Sequence, residues 1–273
     1  MTVGDRSHGL DIRIPSPARM YDYYLGGNHH FAADREAAQQ VLAAVPQLRE
    51  AAQANRAFGR DVVLHLLDQG IRQFLDVGCG MPTIGAIHDL IEGVEPPARV
   101  VYVDTDPVAV EHAISVLAGN RHATVIRADL RHPAGIVSHH NTRQLLDFRQ
   151  PIAVLMLAVL PFIPDDEAYP AVAQLVDWLP AGSHIAVSHP DVDAWSVEAV
   201  TTVTEVYWRT SGPIRAWRDR AAIGRFFGGL DLVGPGLVGV TRWHPGAATE
   251  AAEDQPRAVA LLGGVACKSP TGR

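Results

Sequence analysis

Three aspartates end three successive apolar runs, at the spacing of a sheet edge that holds a nucleoside. The first run, Gln73-Phe-Leu-Asp-Val-Gly-Cys-Gly-Met-Pro-Thr83, places Asp76 two residues ahead of Gly78, with Val77, Cys79 and Gly80 completing the turn. Glycines at 78 and 80 remove the Cβ atoms that would keep a ligand off the backbone. Dinucleotide turns of the form Gly-x-Gly-x-x-Gly set a pyrophosphate on the next helix N-terminus and use the third glycine for close packing. Here the third position is Thr83. Asp76 would repel a pyrophosphate, whereas it can pair with the ammonium of a methionine moiety. The loop therefore favours S-adenosylmethionine over NAD; the plainer reading is an ordinary strand-turn-helix junction.

The second run, Arg99-Val-Val-Tyr-Val-Asp104, is β-branched up to its acidic end, and one βαβ unit separates it from the glycine loop. A carboxylate there accepts hydrogen bonds from ribose hydroxyls; the plainer reading of Asp104 is a turn residue. Thr105 and Asp106 follow, and helix capping ahead of Pro107 explains Asp106 fully. The third run, Ala123 to Ala128, ends at Asp129 and Leu130, where the acid can accept from the exocyclic amine of adenine.

Helices must alternate with these strands. Ile84, Ile87, His88 and Ile91 repeat at helical spacing after the glycine loop. The apolar run Pro151 to Leu160, which includes Leu157 and Ala158, suits a fourth strand buried on both faces. A helix carrying Val172, Leu175, Val176 and Leu179 comes next, then a fifth strand, Ser183 to His189. His189 is expected at its carboxyl end, above the sheet, as a candidate base or simply a loop histidine. His132 to Arg149, with His139 and His140, reads as an exposed loop. Val197 to Trp208 is an amphipathic helix, and Arg215 to Arg220 lead into Ile223 to Phe227. Leu230 to Trp243 reads as two short strands around Gly234-Pro-Gly236, Glu250 to Gln255 as a polar loop, and Ala258 to Ala266 as the last strand.

Ahead of the first strand the chain is unusual. Met1 to Pro17 reads as a loose terminus. Arg19-Met-Tyr-Asp-Tyr-Tyr-Leu-Gly-Gly-Asn28 then sets Tyr21, Tyr23 and Tyr24 against Gly26, Gly27 and Asn28. This is either a lid over the cofactor pocket or an aromatic helix capped by glycine. A helical pattern covers Asp34 to Val45, and a second, Leu48 to Asp68, carries Asn55, Arg56 and Arg60, arginines that face solvent unless the cofactor claims them. The division is thus a terminus at 1–17, a helical cap at 18–70 and a Rossmann-like cofactor domain at 71–273.

The chain has 273 residues, 47% hydrophobic and 19% charged, enough for one sizeable α/β core with additions. A net charge of −7 argues against a general grip on nucleic-acid backbone and for a small-molecule substrate. Cys79 and Cys267 suggest neither a disulfide framework nor a metal site. No run reaches membrane-span length and Met1 to Arg13 is polar, so the expected compartment is the cytoplasm. A homodimer is compatible with all of this.

Pro-Ser-Pro-Ala-Arg-Met-Tyr-Asp-Tyr-Tyr-Leu-Gly-Gly27, Phe31-Ala-Ala-Asp-Arg35, Asn55-Arg-Ala-Phe58, the Asp76 loop, Val101-Tyr-Val-Asp104, Phe226-Phe-Gly-Gly-Leu and Pro235-Gly-Leu-Val238 together resemble a bacterial family of S-adenosylmethionine methyltransferases long catalogued as a domain of unknown function. The resemblance spans nearly the whole chain. It implies a class I fold, a doubly wound seven-stranded sheet with the last strand antiparallel, and S-adenosylmethionine above the first strands. It implies no acceptor. Members usually carry a histidine after the fourth strand in a Leu-His-Phe context; this chain has Leu160-Pro161-Phe162, and any acid-base role of that histidine is lost.

Methyl transfer needs alignment above all, on the order of 7–11 kcal/mol in favourable intramolecular models. If the acceptor is a hydroxyl, His189 or Tyr21 is the candidate base. The nucleic-acid amino-methyltransferase signature of the Asn/Asp-Pro-Pro-Tyr type is missing after the fourth strand. Two other readings remain: a same-fold enzyme that transfers or cyclises the aminocarboxypropyl arm, and a noncatalytic binder of S-adenosylmethionine or S-adenosylhomocysteine.

Overall fold

The computed structural model describes residues 11–82, 85–245 and 260–270. Seven strands, β1 (Gln73–Val77), β2 (Arg99–Asp104), β3 (Ala123–Arg127), β4 (Ala153–Leu157), β5 (His184–Pro190), β6 (Asp231–Gly239) and β7 (Leu261–Cys267), form one sheet in the order β3-β2-β1-β4-β5-β7-β6. The first five are parallel, while β7 runs antiparallel between β5 and β6. Their apolar, β-branched sequences fit a sheet covered on both faces.

The helices are α1 (Pro17–Leu25), α2 (Ala32–Ala44), α3 (Leu48–Asp68), α4 (Ile87–Leu90), α5 (Pro107–Val116), α6 (Pro133–Ser138), α7 (His140–Leu145), α8 (Asp165–Trp178), α9 (Val197–Trp208) and α10 (Arg220–Gly224). Strand alternation sorts the core into two layers. Phe74, Val100 and Tyr102 face Phe58, Val62 and Leu66 of α3, while Leu75, Val101 and Val154 face Val172 and Leu175 of α8. A third cluster joins Met20 and Tyr24 of α1, Val41 of α2, and Val203 and Tyr207 of α9.

Four expectations change. Residues 132–149 fold into α6 and α7 rather than an exposed loop, with Ile136 buried and the His139 ring accepting from Asn141 N–H to start α7. The segment from Leu230 is one strand, β6, because a bulge between Val233 and Val238 absorbs Gly234-Pro-Gly236 without ending the pairing to β7. After the glycine loop the described helix is a single turn, α4. Residues 11–17 are tied down: Ser16 N–H donates to Asp34, Ser211 N–H to Pro15 O, and Arg19 to Ile14 O. The stretches 1–10 and 250–255 lie outside the described residues.

Candidate functional site

The strand order reverses between β1 and β4, and a parallel sheet opens a crevice at such a point, beyond its carboxyl ends. A cavity of about 690 Å³ occupies it, within the size range of small-molecule sites. One half is lined by Asp76, Val77, Gly78, Cys79 and Gly80, by Asp104, Thr105 and Asp106, and by Ala128, Asp129 and Leu130. These are the three strand ends marked by aspartate in the sequence.

Local backbone builds this half. Gly78 and Cys79 N–H both donate to Val103 O, bending the turn across the end of β2, and Gly78 and Gly80 adopt φ of +74° and +60°. A Cβ on Gly78 would lie 2.4 Å from Val159, so that glycine serves packing. A Cβ on Gly80 would meet nothing within 4 Å, which makes Gly80 the residue that leaves room for a ligand. Gly80→Ala is expected to cost about 1–2 kcal/mol of stability for its left-handed φ and to weaken S-adenosylhomocysteine affinity roughly tenfold. Calorimetry checks this; unchanged affinity would put the ligand elsewhere.

Asp104 takes Gly80 N–H on one oxygen at 2.8 Å and Asp106 N–H on the other at 2.9 Å. Burial raises its carboxyl above the usual range while those two donors oppose the rise. Each oxygen keeps a further lone pair. Asp104→Ala is expected to weaken S-adenosylhomocysteine binding by about 2–3 kcal/mol, the scale of hydrogen bonds to a charged group. A lower melting temperature with wild-type affinity would assign Asp104 to the turn alone. Asp106 does cap α5, accepting from Val108 and Ala109 N–H, and also accepts from the Ser16 hydroxyl. Asp129 is held by Arg131 at 2.6 Å.

The other half comes from elements far apart in sequence. Tyr21 and Tyr24 of α1, Arg56 of α3, Leu157 at the end of β4, then Ala158, Val159 and Pro161 to Ile163, Trp195, Trp217, and Val203 and Tyr207 of α9 line it. Ala158 sits at φ 55°, sparsely populated for a residue with a side chain, with its N–H held by Ser188. Beyond this bend Val159, Pro161 and Phe162 border the cavity, while Leu160 points into the core. Arg56 faces Asp76 electrostatically instead of solvent alone.

The family whose model matches residues 4–269 is described as S-adenosyl methyltransferase. The chain belongs to this S-adenosyl methyltransferase family. It is similar to a crystal structure of a DUF574 family protein from Streptomyces avermitilis, at 36% identity over 95% of this chain and 99% of that one, with a TM-score of 0.85. A candidate methyltransferase from Thermobifida fusca is 31% identical over 97% and 99% of the two chains, with a TM-score of 0.86. Magnesium protoporphyrin IX methyltransferase from Synechocystis, with bound S-adenosylhomocysteine, is 16% identical over 92% and 93% of the two chains at a TM-score of 0.52, a likeness of fold alone. No curated protein matches the chain in sequence. As an S-adenosyl methyltransferase the protein is an enzyme that takes its methyl group from S-adenosylmethionine, which supplies an electrophilic carbon on a sulfonium leaving group. The open space at Gly80 and the acid at Asp76 fit that cofactor.

Several expected site residues stand apart from the cavity. Gly26 and Gly27 close α1 as a Schellman motif, with Gly26 N–H on Tyr23 O and Gly27 N–H on Asp22 O, and neither they nor Asn28 line the cavity. Gly27 is glycine because a Cβ would collide with the Asp22 carboxylate at 2.1 Å. Thr83 lies outside the described residues. His189 is fully buried and does not reach the cavity. Arg218 Nη1 donates to its Nε2 at 3.0 Å, so Nδ1 carries the proton and donates to Pro190 O at 2.7 Å. Burial drives its pKa down to about 4, and both ring nitrogens are committed.

Tyr21 is no readier as a base. Its hydroxyl donates to Ala52 O at 3.1 Å and accepts from Asn55 at 3.0 Å, and burial raises its pKa. Trp195, Tyr207 and Trp217 were not legible as site residues. The one available signal was α9, whose Val203 and Tyr207 lie four residues apart on its apolar face.

Proposed function

We propose that this methyltransferase acts on a small molecule, with S-adenosylmethionine lying across β1 to β3 and the acceptor entering between α1, α9 and the turn after β4. The observation that carries the reading is a single cavity running from the three aspartates to an aromatic wall. In this arrangement Asp76 pairs with the cofactor ammonium, Asp104 holds the ribose, and the Asp129 end meets the adenine. Tyr21 and Tyr24 close the methionine end as part of the 18–70 cap. A net charge of −7 supports a small acceptor over nucleic acid. Two free thiols, one buried, agree with a cytoplasmic setting.

The chain's own residues orient the reactants and exclude water, which suffices when the acceptor arrives nucleophilic. Incubation with methyl-labelled cofactor and a fractionated metabolite extract tests the reading by mass spectrometry. S-adenosylhomocysteine together with a labelled small product is expected; methylthioadenosine would indicate transfer or cyclisation of the aminocarboxypropyl arm instead.

A further inference from the structure

The half of the cavity away from the three aspartates is lined by four aromatic rings, Phe162, Trp195, Tyr207 and Trp217, whose polar edges are occupied. Trp195 Nε1–H donates to Ala260 O at 3.2 Å and Trp217 Nε1–H to Thr204 Oγ1 at 2.9 Å. The Tyr24 and Tyr207 hydroxyls meet each other at 3.5 Å, and burial pushes Tyr207 up to about 12. The rings are grouped in tilted pairs, Trp195 with Trp217 at 5.3 Å and Phe162 with Tyr207 at 5.8 Å between centroids. A wall of this kind recognises a ligand by stacking and edge contact, with the unpartnered Asn55 Oδ1 as an acceptor beside it.

The charges on this half are one-sided. Among the described residues, no histidine lines the cavity, and its carboxylates lie at the β1 to β3 end except Asp11, which Arg13 holds bidentately at 2.8 Å. Arg215 stands at the rim, its guanidinium 5.4 Å from the Trp208 ring centroid, and its backbone N–H is fixed on Pro161 O. Arg56 and Arg60 border the cavity from α3. Among the described residues of this half, a cationic amine would find no free carboxylate and a hydroxyl of ordinary acidity no histidine.

We propose that the acceptor is a flat aromatic compound bearing an oxygen already ionised at neutral pH, an aryl carboxylate or an acidic phenol. The proposal rests on the methyltransferase reading of the same cavity. An oxygen lone pair forms the new O–C bond to the methyl group as the C–S bond breaks, and that electron pair stays on sulfur. Anion and sulfonium become a neutral ester or ether and a neutral thioether, with no proton to remove.

Calorimetry on the protein saturated with S-adenosylhomocysteine tests this with three probes: 3-hydroxy-2-naphthoate, octanoate and 2-aminonaphthalene. The naphthoate is expected to bind roughly tenfold or more tighter than either comparator, and Phe162→Leu and Trp217→Leu to weaken it by a similar factor, the scale of one aromatic contact. Those variants must keep wild-type affinity for S-adenosylhomocysteine, which serves as the control for folding. Octanoate binding as tightly would overturn the stacking argument, and aminonaphthalene binding as tightly would overturn the ionised oxygen. If S-adenosylhomocysteine binds and no aromatic probe does, this inference fails alone; if S-adenosylhomocysteine does not bind, the cofactor reading fails with it.

Discussion

Asp76→Asn is expected to weaken S-adenosylmethionine binding by about 3–5 kcal/mol, the usual cost of removing one partner from a desolvated ion pair. Burial raises the Asp76 carboxyl to about 7, an effect that Arg56 partly offsets and Asp104 reinforces. With Asp76 paired to the cofactor ammonium as proposed, a proton competes with that ammonium for the carboxylate. Below pH 7 the free protein holds Asp76 neutral and binding must expel that proton, so affinity falls by up to about tenfold per pH unit; above pH 7 it levels off. The Asn variant should show a flat profile and no ligand-linked proton release.

Stability moves the other way. An unfolded aspartate titrates near 3.8 and the folded Asp76 near 7, so between these values the native state binds more protons than the unfolded one. The Asp76 contribution to stability therefore decreases as pH rises through this window. At pH 8 Asp76→Asn is expected to melt at a higher temperature than the wild type while binding the cofactor far more weakly. A variant that melts lower at pH 8 would make Asp76 a structural acceptor rather than a poised ligand group.

Arg19→Met is expected to destabilise the fold by about 3–5 kcal/mol, since it leaves a buried carboxylate without its cation. Arg19 and Asp34 are both almost fully buried, paired at 2.9 Å, and Arg19 lies 3.8 Å from Asp106. Asp34 also accepts N–H from Ser16 and Phe31, while Ser16 bonds Asp106. This network joins the N-terminal helices to the start of α5, holding Tyr21 and Tyr24 over the carboxyl edge of the sheet. The double variant Arg19→Met, Asp34→Leu should recover part of the loss in denaturant melts, because no unpaired charge remains. A single variant within about 0.5 kcal/mol of wild type would show the pair to be incidental.

The sheet was legible because parallel strands buried on both faces write themselves as apolar, β-branched runs, and their acidic ends stand out against that background. Residues Asp76, Asp104 and Asp129 could thus be found one at a time. The Arg19, Asp34 and Asp106 network could not, since its members are spread over 87 positions and each has a local explanation, in Asp106 as a helix cap. The aromatic wall of the cavity was hidden for the same reason: Phe162, Trp195, Tyr207 and Trp217 meet only when α9 folds against α1.

His189 was misplaced although the signal was present. Alternation along Ser183 to His189 puts it on the face of Ile185 and Val187, which pack in the core with α8, whereas Ser188 and Pro190 take the opposite face and Pro190 reaches the cavity. Its partner, Arg218, also holds Leu160 O and Ile163 O, so the buried pair props the turn after β4 that borders the cavity. The Gly26-Gly27 pair invited a lid reading because Schellman glycines and lid glycines look alike until the Asp22 and Tyr23 carbonyls are seen to take their N–H groups.

Titration calorimetry with S-adenosylhomocysteine and with NADH, on the wild-type chain at pH 8, tests the central claim most directly. One S-adenosylhomocysteine per chain and no measurable heat with NADH is the expected result. Binding of NADH without binding of S-adenosylhomocysteine would contradict the assignment of the Asp76 loop and the cavity built on it.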